Sequence, residues 1–341
     1  MFKRLLQALG LLLVTTGLAH AADAIGFRER DLDTGGARPL HVSVWYPTDD
    51  DAKAEIVGEN RAFFGVAVIR DATPAPTARP LVVLSHGYSG SWRNLSWLAI
   101  ELAEQGYIVA APDHPGTTTF NMDAAQAMRL WERPRDLSRV IDLLADDATL
   151  AGKVDVDRIA AIGHSLGGWT VTALAGARFD TKRFEEDCQA QTSPRACALK
   201  DELGLNGPEI ERDMTDPRVR GFVSLDLGLA RGFTPDSLET LRVPSLVIAA
   251  GIDIGGLPSR LETGYLADHL AEASSTYVEI PDAMHFSFMG LCKPDAAALI
   301  EKEEPGSGVA CKDGGMRKRD AIHREIAYLV IGFLAKAIPA R

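Results

Sequence analysis

After Ala24, short apolar runs alternate with longer stretches whose apolar residues recur every three to four positions. Residues 41–47 (HVSVWYP) alternate with period two, the pattern of an antiparallel edge strand. An acidic loop bearing alanine and proline follows and ends in DATPAPTARP. Residues 81–85 (LVVLS) and 107–112 (YIVAAP) are continuous apolar runs, as expected of strands buried on both faces. Leu95, Leu98, Ala99 and Leu102 fall on one helical stripe between them; Leu137, Val140, Ile141 and Leu144 form another beyond. The rhythm continues with a strand over 159–162 and a helix from Leu166. Strands VRGFVSLD and SLVIAAG, a helix over 261–270, and strand TYVEI come next. A long final helix is striped by Ile322, Ile326, Leu329, Phe333 and Leu334. Such alternation predicts an α/β fold, a mostly parallel central sheet with helices on both faces. Sites in these sheets lie at the carboxyl ends of the strands.

No internal repeat or second periodic domain interrupts the pattern, so one domain is expected over residues 22–341. One segment departs from it. Residues 179–217 are polar, only weakly helical in pattern, and too long for a simple connection. They are expected to form a small cap near the site, with a decorated surface loop as the alternative.

The amino terminus carries a different signal. Lys3 and Arg4 precede an apolar run over residues 5–19, and Ala19-His20-Ala21 supplies small residues for cleavage before Ala22. Residues 1–21 therefore read as a secretory signal peptide; the run is short for a membrane anchor, and none is expected. Loss of Lys3 and Arg4 takes the formal net charge from −11 to −13. An exported protein this acidic is repelled by nucleic acid and anionic membranes, and the charged stretch 312–320 mixes signs as a solvated face does. The four cysteines suit an oxidising compartment. Sequence proximity pairs Cys188 with Cys197 and Cys292 with Cys311, although three connectivities exist. No C-x-x-C, H-E-x-x-H or helically spaced histidine pair is present, so no metal and no cofactor is expected.

The chemistry centres on Gly163-His164-Ser165-Leu166-Gly167, a G-x-S-x-G match set between a buried strand and a helix. Alone the motif is common, and a glycine-rich turn with an incidental serine is the plain alternative. In this context it predicts a nucleophile elbow, in which a sharp strand-to-helix turn exposes Ser165. His285, in the loop after the last strand, is the expected general base, and activity is expected to rise with pH as it loses its proton. Of the other histidines, His114 after a strand end is a candidate for the rim of the site. Two aspartates compete to orient His285: Asp253, after the strand preceding the histidine strand, is preferred over Asp226, one strand earlier. The backbone N–H groups of Leu166 and Tyr88, the latter in LSHGYSG, are expected to form an oxyanion hole. Tyr88, Trp92, Trp169, Phe286 and Phe288 are candidates for the wall of an acyl pocket, although aromatic residues are more often core.

The stretches LSHGYSGSWRN, LAEQGYIVAAPDHPG, IGHSLGGWT, IAAGID and MHFSF resemble the α/β-hydrolase superfamily. More narrowly the chain is similar to bacterial exported dienelactone hydrolase-like esterases, near platelet-activating-factor acetylhydrolases and cutinase-type polyester hydrolases. The resemblance implies Ser165 as nucleophile, His285 as base, and Tyr88 and Leu166 as oxyanion donors. Cutinase-type relatives imply Asp253 as the acid and acetylhydrolase-type relatives imply Asp226. A serine where dienelactone hydrolases carry cysteine removes the implication of lactone chemistry. The expected function is a serine carboxylesterase acting on small or lipid-like esters. A phospholipid-type acetylhydrolase or an aromatic polyester hydrolase is the alternative, and a non-catalytic binding protein the remote one. Oligomeric state is left open.

Overall fold

Ten strands join into a single sheet in the order β10-β9-β8-β7-β5-β6-β2-β1-β4-β3. They are β1 (Ala24–Leu32), β2 (Leu40–Thr48), β3 (Glu55–Val57), β4 (Val66–Arg70) and β5 (Arg79–Ser85). The second half supplies β6 (Ile108–Asp113), β7 (Val154–His164), β8 (Val219–Leu225), β9 (Ser245–Ile252) and β10 (Ser275–Met284). The computed structural model describes residues 24–190 and 193–340, and the leader expected over residues 1–21 lies outside them.

From β6 through β5, β7, β8 and β9 to β10 every pairing is parallel. The continuous apolar runs occupy this centre, and alternation along each strand divides them between two cores. Leu81, Val83, Ile159 and Ala161 share one core with Leu137 and Val140 of the Glu132–Asp146 helix and Trp169 of the Leu166–Leu174 helix. Val82, Leu84, Ala160 and Ile162 share the other with Leu98 of the Ser96–Glu104 helix and Ile322 and Ile326 of the Arg319–Ala337 helix. Full burial of each such side chain contributes about 1.5–3 kcal/mol, which fixes the sheet as a rigid platform.

Three expectations change. Residues 41–47 do not form an edge strand: β2 is antiparallel to β1 on one side and to β6 on the other. Trp45 of β2 is completely buried, beside its partner Phe27 of β1 at 5.3 Å and against Trp92 at 5.6 Å. The acidic loop contains two strands, β3 of only three residues and β4 of five. Within 312–320, Arg319 is buried rather than solvated; it pairs with Asp313 at 3.1 Å and donates to the Ala310 carbonyl.

Among its described residues the polar insertion forms two short α-helices, Thr181–Gln189 and Pro194–Ala198, and a 3-10 turn, Pro208–Glu211. Asp180 caps the first by accepting from Arg183 N–H, and Pro194 opens the second, where a missing N–H costs nothing. Disulfides join Cys188 to Cys197 and Cys292 to Cys311.

Candidate active site

β7 ends at His164 and the next helix begins at Leu166, so the whole reversal falls on Ser165. Its φ of 57° is a conformation that costs a residue with a side chain about 1–3 kcal/mol. The flanking glycines are needed for closeness. A Cβ on Gly163 would lie 2.0 Å from the Gly167 carbonyl oxygen, and one on Gly167 would lie 1.9 Å from that of Ser85. The strain holds the hydroxyl at the carboxyl end of the sheet.

His285 directly follows β10, and its Nε2 lies 2.9 Å from Ser165 Oγ. Its Nδ1 lies 2.7 Å from Oδ2 of Asp226. The preferred acid of the sequence, Asp253, is not at the imidazole; its carboxylate accepts from Ser259 N–H at 2.7 Å and holds the start of the Ser259–His269 helix. Topology explains the correction. β8 lies beside β7, the strand that leads into Ser165, whereas β9 is one position further out. Asp226 follows β8 at once and turns there with φ 43°. The other oxygen of Asp226 accepts from Ala250 N–H at 3.0 Å and Ser259 Oγ at 2.7 Å. Burial works to raise the Asp226 carboxyl; the hydrogen bond and charge of His285, with those two donors, outweigh it and hold the acid below its ordinary value.

Two histidines that sequence patterning passed over support this geometry. His164 donates from Nε2 to the carbonyl of His285 at 2.8 Å, and burial with the neighbouring His285 pushes it down to about 3, so it is neutral. His86 is buried and donates from Nδ1 to the Gly87 carbonyl at 2.7 Å, while its Nε2 accepts from His114 N–H at 3.0 Å. Gly90 N–H also donates to that carbonyl. A planar trans peptide then aims the Tyr88 N–H away from it. A Cβ on Gly87 would stand 3.1 Å from that of Ser165, so the loop passes directly against Ser165. Leu166, the first residue of its helix, has an N–H with no intrahelical acceptor.

Ser165 and His285 open into a cavity of about 460 Å³, lined by Tyr88, Leu229, Leu257, Phe286 and Met289 among others. The insertion supplies Arg195, Ala196, Ala198 and Leu199 to its wall, and Tyr88 Oη donates to Glu202 of the same segment. Across from them Val309 and Ala310 come from the segment closed by Cys292–Cys311. Of the five aromatic wall candidates, Tyr88 and Phe286 line this cavity. Trp92 packs against Phe27 and Trp45, Trp169 stacks on Phe233 at 5.7 Å, and Phe288 stacks on His164 at 5.6 Å; all three are core. His114 is not at the rim but completely buried. Among the described residues, no group of three or more His, Cys, Asp or Glu is placed to hold a metal ion.

A parallel-centred sheet carrying a serine elbow, a histidine and an aspartate at its strand ends is the α/β-hydrolase fold. A family model described as PET hydrolase-like matches residues 44–183. Cutinase est2 of Thermobifida alba is 32% identical over 103 residues, 30% of this chain and 31% of that protein. A bis(hydroxyethyl) terephthalate hydrolase of Streptomyces coelicolor is 29% identical over 97 residues, 28% of each chain. The chain thus matches less than a third of the length of these relatives. Over the whole chain the fold is that of a solved ferulic acid esterase from Streptomyces cinnamoneus, with TM-score 0.65, 21% identity, and coverage of 96% of this chain and 93% of that one.

Proposed function

We propose that the protein is a serine carboxylesterase. The observation that carries this is the relay Ser165–His285–Asp226, with contacts of 2.9 and 2.7 Å, opening into an apolar cavity. Ser165 Oγ attacks the ester carbonyl while His285 Nε2 takes its proton. The N–H groups of Tyr88 and Leu166 hold the tetrahedral oxyanion, and Asp226 stabilises the imidazolium. Collapse expels the alcohol, protonated by His285, and water then cleaves the acyl-enzyme by the same steps. The relatives that act on ester bonds by name support the reaction class.

Cavity volume argues for esters of moderate apolar bulk rather than acetates alone. The names of the polyester-hydrolase relatives favour a second reading, hydrolysis of aromatic polyesters. Against it stands the insertion, whose Pro194–Ala198 helix walls the site and acts as a cap where a polymer needs an open groove. We also infer one catalytic domain over 22–341 and export after loss of the 1–21 leader; two disulfides suit that compartment. No helix among the described residues is long and apolar enough to cross a membrane.

The test is hydrolysis of p-nitrophenyl acetate, butyrate, octanoate and palmitate, beside bis(hydroxyethyl) terephthalate and polyester film. Wild type and Ser165→Ala are compared on each. Serine-dependent turnover peaking at butyrate or octanoate is expected, and film turnover exceeding it would favour the polyester reading. A folded wild type without serine-dependent turnover removes the enzyme and leaves a binding protein.

A further inference from the structure

Behind the oxyanion loop lies a buried cation with no carboxylate at contact distance among the described residues. Arg133, 1% exposed, donates from Nε to Thr170 Oγ1 at 3.0 Å and from Nη1 to Thr117 Oγ1 at 2.6 Å. Its Nη2 donates to Ser85 Oγ at 3.1 Å and to the carbonyl of His86. All these acceptors are neutral. The nearby carboxylate, Asp136, is committed elsewhere: Arg38 grips both its oxygens at 2.8 and 2.7 Å, Arg139 approaches at 3.2 Å, and His114 Nδ1 donates at 3.0 Å. Asp136 thus already has two guanidinium groups in contact, and Arg133 acts on it only from beyond hydrogen-bond distance. Burial lowers Arg133 to about 9, which leaves it charged at neutral pH. Burial also holds His86 and His114 well below their ordinary value, so neither imidazole adds charge. Burying an unpaired charge costs several kcal/mol, and only interactions made where it sits can offset that.

We propose that Arg133 is a positioning residue for ester hydrolysis: it fixes the His86 carbonyl and, with the His86 imidazole, orients the His86-Gly87-Tyr88 peptides toward the oxyanion at Ser165. This rests on the esterase function proposed above. Carbonyl oxygens of His86 and Gly87 are both held from the buried side, the first by Arg133 and the second by His86 Nδ1. Planarity sends the following N–H groups the opposite way. The positive charge behind these peptide dipoles stabilises negative charge developing in front of them, in a low-dielectric setting where such terms are large. The contribution belongs to the transition state, because the substrate carbonyl carries far less charge than the oxyanion.

The experiment compares wild type, Arg133→Met and Arg133→Lys, with active sites counted by a fluorescent phosphonate and melting followed by circular dichroism. On p-nitrophenyl butyrate, Arg133→Met is expected to lose about 30- to 100-fold in kcat per labelled site, with KM within about threefold. Affinity for an alkyl boronic acid, which forms a tetrahedral adduct on Ser165, should fall in parallel with kcat/KM. Arg133→Lys keeps the charge without the fork and should recover part of the loss. A kcat per labelled site within threefold of wild type in a folded variant overturns the proposal, whatever the melting temperature does. If Arg133→Met does not fold, Arg133→Lys decides: reduced kcat and boronate affinity at constant KM support it, and unchanged values overturn it. A wild type with no serine-dependent ester hydrolysis defeats the esterase function itself, and the role of Arg133 falls with it.

Discussion

Two Ser–His–Asp relays run through this molecule with nearly the same dimensions. In one, Ser165 Oγ is 2.9 Å from His285 Nε2 and His285 Nδ1 is 2.7 Å from Asp226. In the other, Ser85 Oγ is 3.0 Å from His114 Nε2 and His114 Nδ1 is 3.0 Å from Asp136. Contacts alone do not tell them apart; surroundings do. Ser85 ends a central strand, is completely buried, and accepts a hydrogen bond from the Arg133 cation that draws electron density from its oxygen. Ser165 stands on a strained turn beside a cavity and against the Gly87 loop. Three linked polar groups make a relay. Access to substrate and oxyanion donors make a nucleophile.

Replacing each serine by alanine breaks the comparison most sharply. Ser165→Ala is expected to lower kcat by at least about 10⁴-fold. Ser85→Ala leaves a buried His114 nitrogen and an Arg133 N–H without their partner, a stability cost of about 1–3 kcal/mol, with activity kept within about tenfold. Steady-state p-nitrophenyl butyrate hydrolysis and thermal melts on both variants decide it. A folded Ser85→Ala as inactive as Ser165→Ala would falsify the division between a working and an enclosed relay.

The two candidate acids come next in size. Asp226→Asn removes the carboxylate that fixes the His285 tautomer and stabilises its cation, a loss of about 10³- to 10⁴-fold in kcat. Asp253→Asn disturbs only the start of a helix, so both constants should stay within about threefold, with a small loss of stability. Equal losses in kcat would mean that Asp253 reaches the imidazole during turnover.

That correction shows where the sequence stopped being legible. Buried parallel strands, the elbow and the histidine after the last strand carry strong local signals, namely apolar runs, paired glycines and position. Asp226 and Asp253 carry the same local signal, a carboxylate just past a strand. What separates them is strand order, β8 beside β7 and β9 further out, which comes from long-range pairing. His86, His164 and Arg133 were illegible for a related reason. A histidine beside an apolar run, or an arginine in a charged stretch such as Glu132-Arg133-Pro134-Arg135-Asp136, looks alike whether it is solvated or the centre of a buried network, and only the partners it meets settle that. The aromatic wall failed similarly: Trp92, Trp169 and Phe288 lie near the site in sequence but point into the cores, and Leu229, Leu257 and Met289 help line the cavity without any motif.

The scaffolds behind the relays differ as well, and that yields the smallest expected effect on activity. Asp136 is buried, and burial raises it, but Arg38 grips both its oxygens. Behind Asp226 the corresponding group is Glu262, on the helix that carries Ser259 and Thr263 to that aspartate. Its carboxyl is buried, accepts from Ala230 N–H at 2.7 Å, and has no ion pair at contact distance among the described residues. Burial pushes it up to about 7 from an ordinary 4.5. In the unfolded chain it ionises near the lower value. The stability it supports is therefore complete below pH 4.5 and is lost as pH rises through about 7, on the order of 3 kcal/mol in all. Glu262→Gln keeps an acceptor for Ala230 and removes the ionisation. Its melting temperature should match or fall below wild type at pH 4.5 and overtake it between pH 5 and 8. At pH 8 kcat should stay within about twofold, because Glu262 reaches the relay only through its helix. Parallel melting profiles for the two proteins across that range would show that the Glu262 carboxyl already ionises normally in the folded state. The helix behind Asp226 would then tolerate a buried charge as readily as the Arg38 side of the enclosed relay does.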